Sequence, residues 1–258
     1  FSASRLSKFL LQQLSAMAGH SKWANIKHRK SANDAKKGKL FGKLVKEITA
    51  AAKIGGPAPE SNARLRLAIQ NAKGANVPKN NIERAIKKGS GADAADYTEL
   101  TYEGHCPYGV AVVVECMTDN LNRTVAAVRT AFAKYNGSLG KSGSLAFIFN
   151  RQGVFRVPQQ EVDNEESLTL AMIEAGAAAI ESEENDLYIT CALEAFGRVQ
   201  QALETLGIMP AEAGLQYIPT TSVPLAQEDA AKVMKLIDTL EDHDDVQRVY
   251  HNAEGTAV

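Results

Sequence analysis

The hydrophobic period of this chain changes once, and that change limits what it can fold into. Before Gly89 the apolar residues recur only at helical spacing; after Asp96 helical and strand periods mix. Ahead of the break, Asn33 or Asp34 can cap a helix. Leu40, Phe41, Leu44, Val45, Ile48, Ala51 and Ala52 form its apolar stripe, and Gly55-Gly56-Pro57 ends it. Ser61 or Asn62 opens a second helix with Leu65, Ala68, Ile69 and Ala72 inward. Pro78 suits the first turn of a third, where Ile82, Ala85 and Ile86 face inward and Gly89 closes it. Three amphipathic helices joined by short turns predict a small bundle. The run from Gly89 to Asp96 is a linker.

Beyond the linker, Thr98–Glu103 and Val110–Cys116 read as strands around a turn at Cys106-Pro-Tyr-Gly109. Thr118-Asp-Asn-Leu-Asn-Arg-Thr124 supplies the cap for a helix through Tyr135, and Leu145–Phe149 reads as a strand. A second unit follows: strand Gly153–Val157, helix Glu165–Gly176, strands Ala178–Glu181 and Leu187–Thr190, helix Ala195–Leu206 and strand Ala213–Ile218. That βαββαβ order is ferredoxin-like. An acidic helix, Gln227–Leu240, and a strand, Val246–Tyr250, then complete the unit opened at Tyr97, which makes the middle unit an insertion. The expected fold class is α+β and multidomain: an N-terminal three-helix bundle followed by two α/β (ferredoxin-like) domains, the third inserted in the second. The expected boundaries are 17–93, then 94–150 with 219–254, and 151–218 for the insertion, after a leader, tag or transit-like segment at 1–16.

The formal net charge of −1 hides a polarity. Residues 17–93 hold 17 Lys+Arg against 5 Asp+Glu, whereas 94–258 hold 10 against 25. A basic front and an acidic back imply one part that grips a polyanion and another that does something else. Within the front, Gly19–Lys46 carries nine Lys or Arg against one acid, Asp34, and encloses the only tryptophan. Cations that neutralise phosphate beside a ring that can stack on a base suit nucleic-acid binding; a merely solvated helix face is the plainer alternative. The candidate contacts are Lys22, Trp23, Lys27, His28, Arg29, Lys30, Lys36, Lys37, Lys39 and Lys43. Lys36, Lys37, Lys39, Lys43 and Lys46 fall largely outside the apolar stripe and so can face a partner. Asn122 and Arg123, in a polar cluster at a strand-to-helix corner, either serve helix capping or contact RNA.

Catalysis has weaker support. Gly137-Ser-Leu-Gly-Lys-Ser142 has two residues between its glycines where a phosphate loop needs four, and it follows a helix rather than a strand. His105-Cys106 lacks a third group to orient it. His243 and His251 among Asp242, Asp244 and Asp245 are better read as an acidic surface than as a metal site. Cys106, Cys116 and Cys191 form no CxxC pair, and no apolar run approaches the ~18 residues of a membrane span. Phe147, Phe149 and Phe155 are expected in the core rather than on an RNA-recognition sheet. No catalytic residue, metal or cofactor is expected. Residues 1–16, Ser-rich and acid-free, match a transit peptide, a vector remnant or an over-extended reading frame, with Met17 as a plausible start.

The run Met17-Ala-Gly-His-Ser-Lys-Trp-Ala-Asn-Ile-Lys-His-Arg-Lys30 resembles the start of the YebC family. So do Gly55-Gly56-Pro57 with Asn62, Val77-Pro78-Lys79, Tyr102-Glu103-Gly104, Thr118-Asp119-Asn120 with Asn122-Arg123-Thr124, and Leu240-Glu-Asp with Asp245-Val-Gln-Arg-Val-Tyr250-His-Asn. The resemblance covers about residues 17–254 and is closer to the bacterial members than to the mitochondrial translational activator. It implies three domains, the third inserted in the second. It also implies two competing functions: a ribosome-associated translation factor that binds rRNA and relieves stalling at proline-rich stretches, or a DNA-binding transcriptional regulator. Lys holds phosphate without reading sequence, and no clear recognition helix stands out, so the ribosome is the preferred partner over duplex DNA. The expectation is a monomer without membrane or small-molecule partner, cytoplasmic, or in the mitochondrial matrix if residues 1–16 are a transit segment.

Overall fold

The structure is a computed structural model that describes residues 34–254. Helix α1 (Asp34–Gly55), α2 (Ala63–Gly74) and α3 (Lys79–Gly89) come first. Their shared core is small: Ile48, Ala51 and Ala52 of α1 meet Leu65, Ala68 and Ala72 of α2 and Ile82 and Ala85 of α3. Alanines along α1 let its neighbours approach closely. Residues 17–33 of the bundle expected from the sequence, and the leader before them, lie outside the described residues.

Asn62 organises the α1–α2 corner. Its side-chain oxygen accepts from Leu65 N at 3.0 Å, the helix cap, while its amide donates to Ala51 O and Gly56 O, both at 2.8 Å. Gly56 has φ +86, and a Cβ on Gly55 would lie 2.6 Å from the Asn62 amide nitrogen, so both glycines are dictated by the turn and by what it encloses. Asn62→Ala is expected to lower unfolding stability by about 2 kcal/mol, since it removes a cap and the amide donor to one buried and one part-buried carbonyl. Asn62→Asp, which keeps the acceptor and loses the donor, should fall between the two in urea titrations.

Strands β1 (Thr98–His105) and β2 (Ala111–Thr118) form a hairpin in register from Thr98 opposite Thr118 to His105 opposite Ala111. Helix α4 (Leu121–Lys134), capped by Asn120, leads to the short β3 (Ser138–Leu139). After the ferredoxin-like segment, β8 (Val223–Pro224), α7 (Gln227–Glu241), β9 (Val246–His251) and β10 (Ala253–Glu254) finish the described chain. The first sheet has the order β3-β1-β2-β9. Its β2 is buried on both faces: Val112, Val114 and Cys116 pack with α4 and α7, and Ala111 and Val113 with Leu145, Phe149 and Tyr250.

The middle segment comprises β4 (Phe149–Pro158), α5 (Glu165–Ala175), β5 (Ala177–Glu183), β6 (Asp186–Cys191), α6 (Phe196–Thr205) and β7 (Glu212–Pro219). Its sheet order, β5-β6-β4-β7, is that of a ferredoxin-like unit. Asn164 caps α5 and Gly176, in the left-handed region, ends it. The described residues fall into two compact units, 151–216 and 34–150 with 217–254. The fold is thus mixed, with N-terminal helices followed by antiparallel sheets.

One expected strand is absent. Leu145–Phe149 is a succession of tight turns, with Ala146 N donating to Gly143 O and Ile148 N to Leu145 O; extended structure begins only at Phe149. Its consequence is that Phe147, expected in the core, is 78% exposed, whereas Phe149 and Phe155 are buried.

Candidate nucleic-acid interface

Of the N-terminal candidates, Lys22, Trp23, Lys27, His28, Arg29 and Lys30 lie outside the described residues, as does the side chain of Lys36. Lys37 is exposed on α1. The next lysines along the helix turn back on the protein. Lys39 Nζ reaches Asp242 Oδ1 at 3.1 Å and Asp242 O at 3.2 Å. Lys43 Nζ donates to Glu241 O at 2.7 Å, and Lys46 Nζ to Asp244 O at 2.8 Å and Asp245 Oδ1 at 3.3 Å. The expectation that Lys39, Lys43 and Lys46 face a partner is corrected for Lys43 and Lys46, which are half-buried; Lys39 remains about half exposed. The carbonyls that end α7 explain this, since a helix C-terminus attracts cations.

Arg123 is half exposed, and its guanidinium is engaged by the protein's own carboxylates. Its guanidinium meets Asp245 at 2.8 to 3.1 Å through both Nε and Nη2, and Asp119 at 2.9 Å. Thr124 Oγ1 donates to the same Asp245 carboxylate at 2.9 Å. Asp245 therefore joins α1, the start of α4 and the α7–β9 turn. Burial pushes its pKa up, but hydrogen bonds from Arg123 and Thr124 and the charge of Lys46 outweigh burial and hold the carboxyl below its ordinary range. Asn120 caps α4 through Arg123 N at 3.0 Å, so the polar corner serves capping and clamping. Asn122 stays exposed at its rim.

Among the described residues, a further set of outward charges lies on α2 and α3. From Ala63 to Gly89 seven Lys or Arg (Arg64, Arg66, Lys73, Lys79, Arg84, Lys87, Lys88) stand against one acid, Glu83. Arg64 turns to Glu47 and Glu99; the other six are exposed. On α3 the exposed Lys79, Asn80, Arg84, Lys87 and Lys88 cover the side opposite Ile82, Ala85 and Gly89, which are buried. Pro78, Asn80, Asn81, Glu83, Arg84 and Lys87 line a surface groove there, and Glu83 pairs with Lys79 at 3.7 Å. The sequence reading did not single these residues out, although seven cations to one acid on two amphipathic helices was a signal available to it.

The glycine-rich turn after α4 binds an anion, but the protein's own. Glu103 accepts from Gly143 N at 2.9 Å, Ser144 Oγ at 3.1 Å and Leu145 N at 2.7 Å. The backbone concavity of this turn is thus filled by a carboxylate. Cys106, Cys116 and Cys191 are buried, and burial pushes their thiols up to about 12, 12 and 11; they are poor nucleophiles at neutral pH. His243 Nδ1 accepts from Asp245 N at 3.1 Å. Among the described residues no group of three or more His, Cys, Asp or Glu is placed to hold a metal, and no helix is long and apolar enough to cross a membrane.

Comparison with known proteins covers nearly the whole chain. Residues 21–92 match the family profile described as "TACO1/YebC protein N-terminal domain", and 97–253 match "TACO1/YebC second and third domain". A probable transcriptional regulatory protein of Amoebophilus asiaticus is 63% identical over 238 residues, 92% of this chain and 98% of that one. Another, from Geobacillus kaustophilus, is 52% identical over 241 residues, again 92% and 98% of the two chains. The crystal structure of a conserved hypothetical protein from Aquifex aeolicus is similar with a TM-score of 0.78 at 46% identity, over 90% of this chain and 96% of that one.

Proposed function

This chain belongs to the TACO1/YebC family, and on that footing we propose that it is a nucleic-acid-binding regulator that works as a ribosome-associated translation factor, binding rRNA and relieving stalling at proline-rich stretches. Regulation in general follows from the names its relatives carry. The single observation that favours nucleic acid is the exposed cationic surface of α2 and α3, with Arg66, Lys73, Lys79, Arg84, Lys87 and Lys88 turned outward. Together with Lys22, Lys27, Arg29, Lys30 and Lys37 they give the helical segment the means to hold phosphate. In this reading the sheet-containing parts of the chain, residues 94–254, act by shape, positioning substrates at a ribosomal centre with no covalent chemistry of their own. Residues 17–93 serve as the anchoring domain of a cytoplasmic monomer.

A second reading, a DNA-binding transcriptional regulator, draws on the relatives' printed names and on α3. Asn80, Asn81 and Arg84 are residue types that read base edges. Arg84, however, already donates to Asn80 O at 3.3 Å and to the Asn81 side chain, which favours phosphate contact over readout.

Ribosome pelleting at graded salt tests the preferred reading. The protein is expected to pellet with ribosomes at low salt and to be released steeply as salt rises, with log affinity falling linearly in log salt. Charge reversal at Lys79, Arg84, Lys87 and Lys88 should flatten that slope. Retention on duplex DNA of one sequence, with no pelleting at low salt, would favour the regulator of transcription instead.

A further inference from the structure

We propose that the turn Gly140–Ile148 is a stacking platform on which Phe147 receives an unpaired nucleobase, with Lys141, exposed at the start of the same turn, for a flanking phosphate. This rests on the nucleic-acid-binding reading above and adds a second contact, distinct from the helical cations. Phe147 is 78% exposed, the most exposed of the large apolar residues described. Leu145 and Phe149, two positions to either side, are 1% and 4% exposed, while Ile148 is half-buried and Ala146 exposed. Phe147 is thus the one exposed large apolar side chain of this turn rather than one of a run of them. Around it along the chain the exposed residues are Lys141, Ser142, Gly143, Ala146 and Asn150. An exposed ring on a turn that also carries an exposed cation and small hydrogen-bonding residues matches the chemistry of single-strand recognition, where bases stack on aromatics and cations track the backbone.

The presentation is rigid from both ends. The three bonds from the turn to Glu103 fix its first half. Thr220 fixes the second: its Oγ1 donates to Phe147 O at 3.2 Å and Ile148 O at 3.0 Å, and its N–H to Ile148 O at 2.8 Å. Between them Gly143 takes φ +81 and Ser144 N donates to Lys141 O at 3.1 Å. A ring held outward by a preordered backbone loses little freedom on binding, which is what a stacking platform requires.

The test measures fluorescence anisotropy of the full chain with a labelled oligoadenylate RNA, the same sequence as DNA, and an RNA duplex. Phe147→Ala should weaken both single strands about tenfold and leave duplex affinity and the salt slope as they are. Phe147→Trp should bind single strands at least as well as the wild type. Phe147→Leu should behave like the alanine variant, since a base needs a π face; retention of wild-type binding by leucine would point to an apolar contact and overturn the proposal. So would single-strand affinity unchanged by Phe147→Ala, with the nucleic-acid reading left intact. Equal weakening on duplex would also overturn it. If the wild type binds none of the three probes, the nucleic-acid reading itself fails and takes this one with it.

Discussion

Replacing Asp245 by asparagine is expected to lower the unfolding free energy by about 3 kcal/mol, because it leaves the buried centre of a charge cluster without its anion. The Asp245 side chain is 4% exposed, and Lys46, one of its partners, 17%. Arg123 is half exposed and can turn to water. The same pair should therefore respond unequally: Arg123→Gln is expected to cost clearly less than removing the acid. The effect carries a pH signature. Asp245 is held below its ordinary carboxyl range in the folded protein. Its contribution is fully present above the unfolded value of about 4 and is lost as pH falls through the folded value. Urea titrations of wild type and Asp245→Asn should differ most near neutral pH and converge in acid. A gap that stays constant down through that window would rule out the ionised carboxylate as its source.

Gly89→Ala is expected to be comparably damaging, by about 3 kcal/mol. A Cβ at this position would stand 2.3 Å from Thr49 O and 2.9 Å from Ala52 Cβ. The first is a backbone atom inside α1 and has no rotamer to escape into. The end of α3 must move off α1, which uncovers the small core that Ile48, Ala51 and Ala85 share. Because α3 carries Lys79, Arg84, Lys87 and Lys88, nucleic-acid affinity should fall along with thermal stability. Gly91→Ala is the matched control: its nearest neighbour would be Lys88 O at 3.5 Å, and both melting temperature and binding should stay close to wild type.

What was legible in the sequence was local. Asn62, Asn120 and the Gly55-Gly56 stop announce helix ends through bonds that close within a few residues, and the βαββαβ order follows from periods read over short windows. What was not legible depends on residues far along the chain. Lys43 and Lys46 lie off the apolar stripe of α1, which reads as exposure; their partners at Glu241, Asp244 and Asp245 are almost two hundred positions away. Leu145, Phe147 and Phe149 alternate like a strand, but Glu103 draws in the N–H groups of Gly143 and Leu145 and breaks the alternation. Phe147 then leaves the face its neighbours keep. The cations of α3 are hard to single out for another reason: they belong to a basic segment whose densest run, Gly19–Lys46, lies ahead of them.

The entrance and exit of the segment 151–216 are neighbouring strands. β4 and β7 are bonded at both ends of their shared length, Ala211 N to Arg156 O and Thr220 N to Ile148 O, each at 2.8 Å. Asn150 thus lies close to Tyr217 across a two-stranded ribbon. A loop of a few residues is enough to bridge such neighbours, so the whole ferredoxin-like segment is removable by one short splice, or exchangeable for another module with adjacent termini. The two chain crossings are thus a single seam, and whatever is grafted there needs only its two ends side by side.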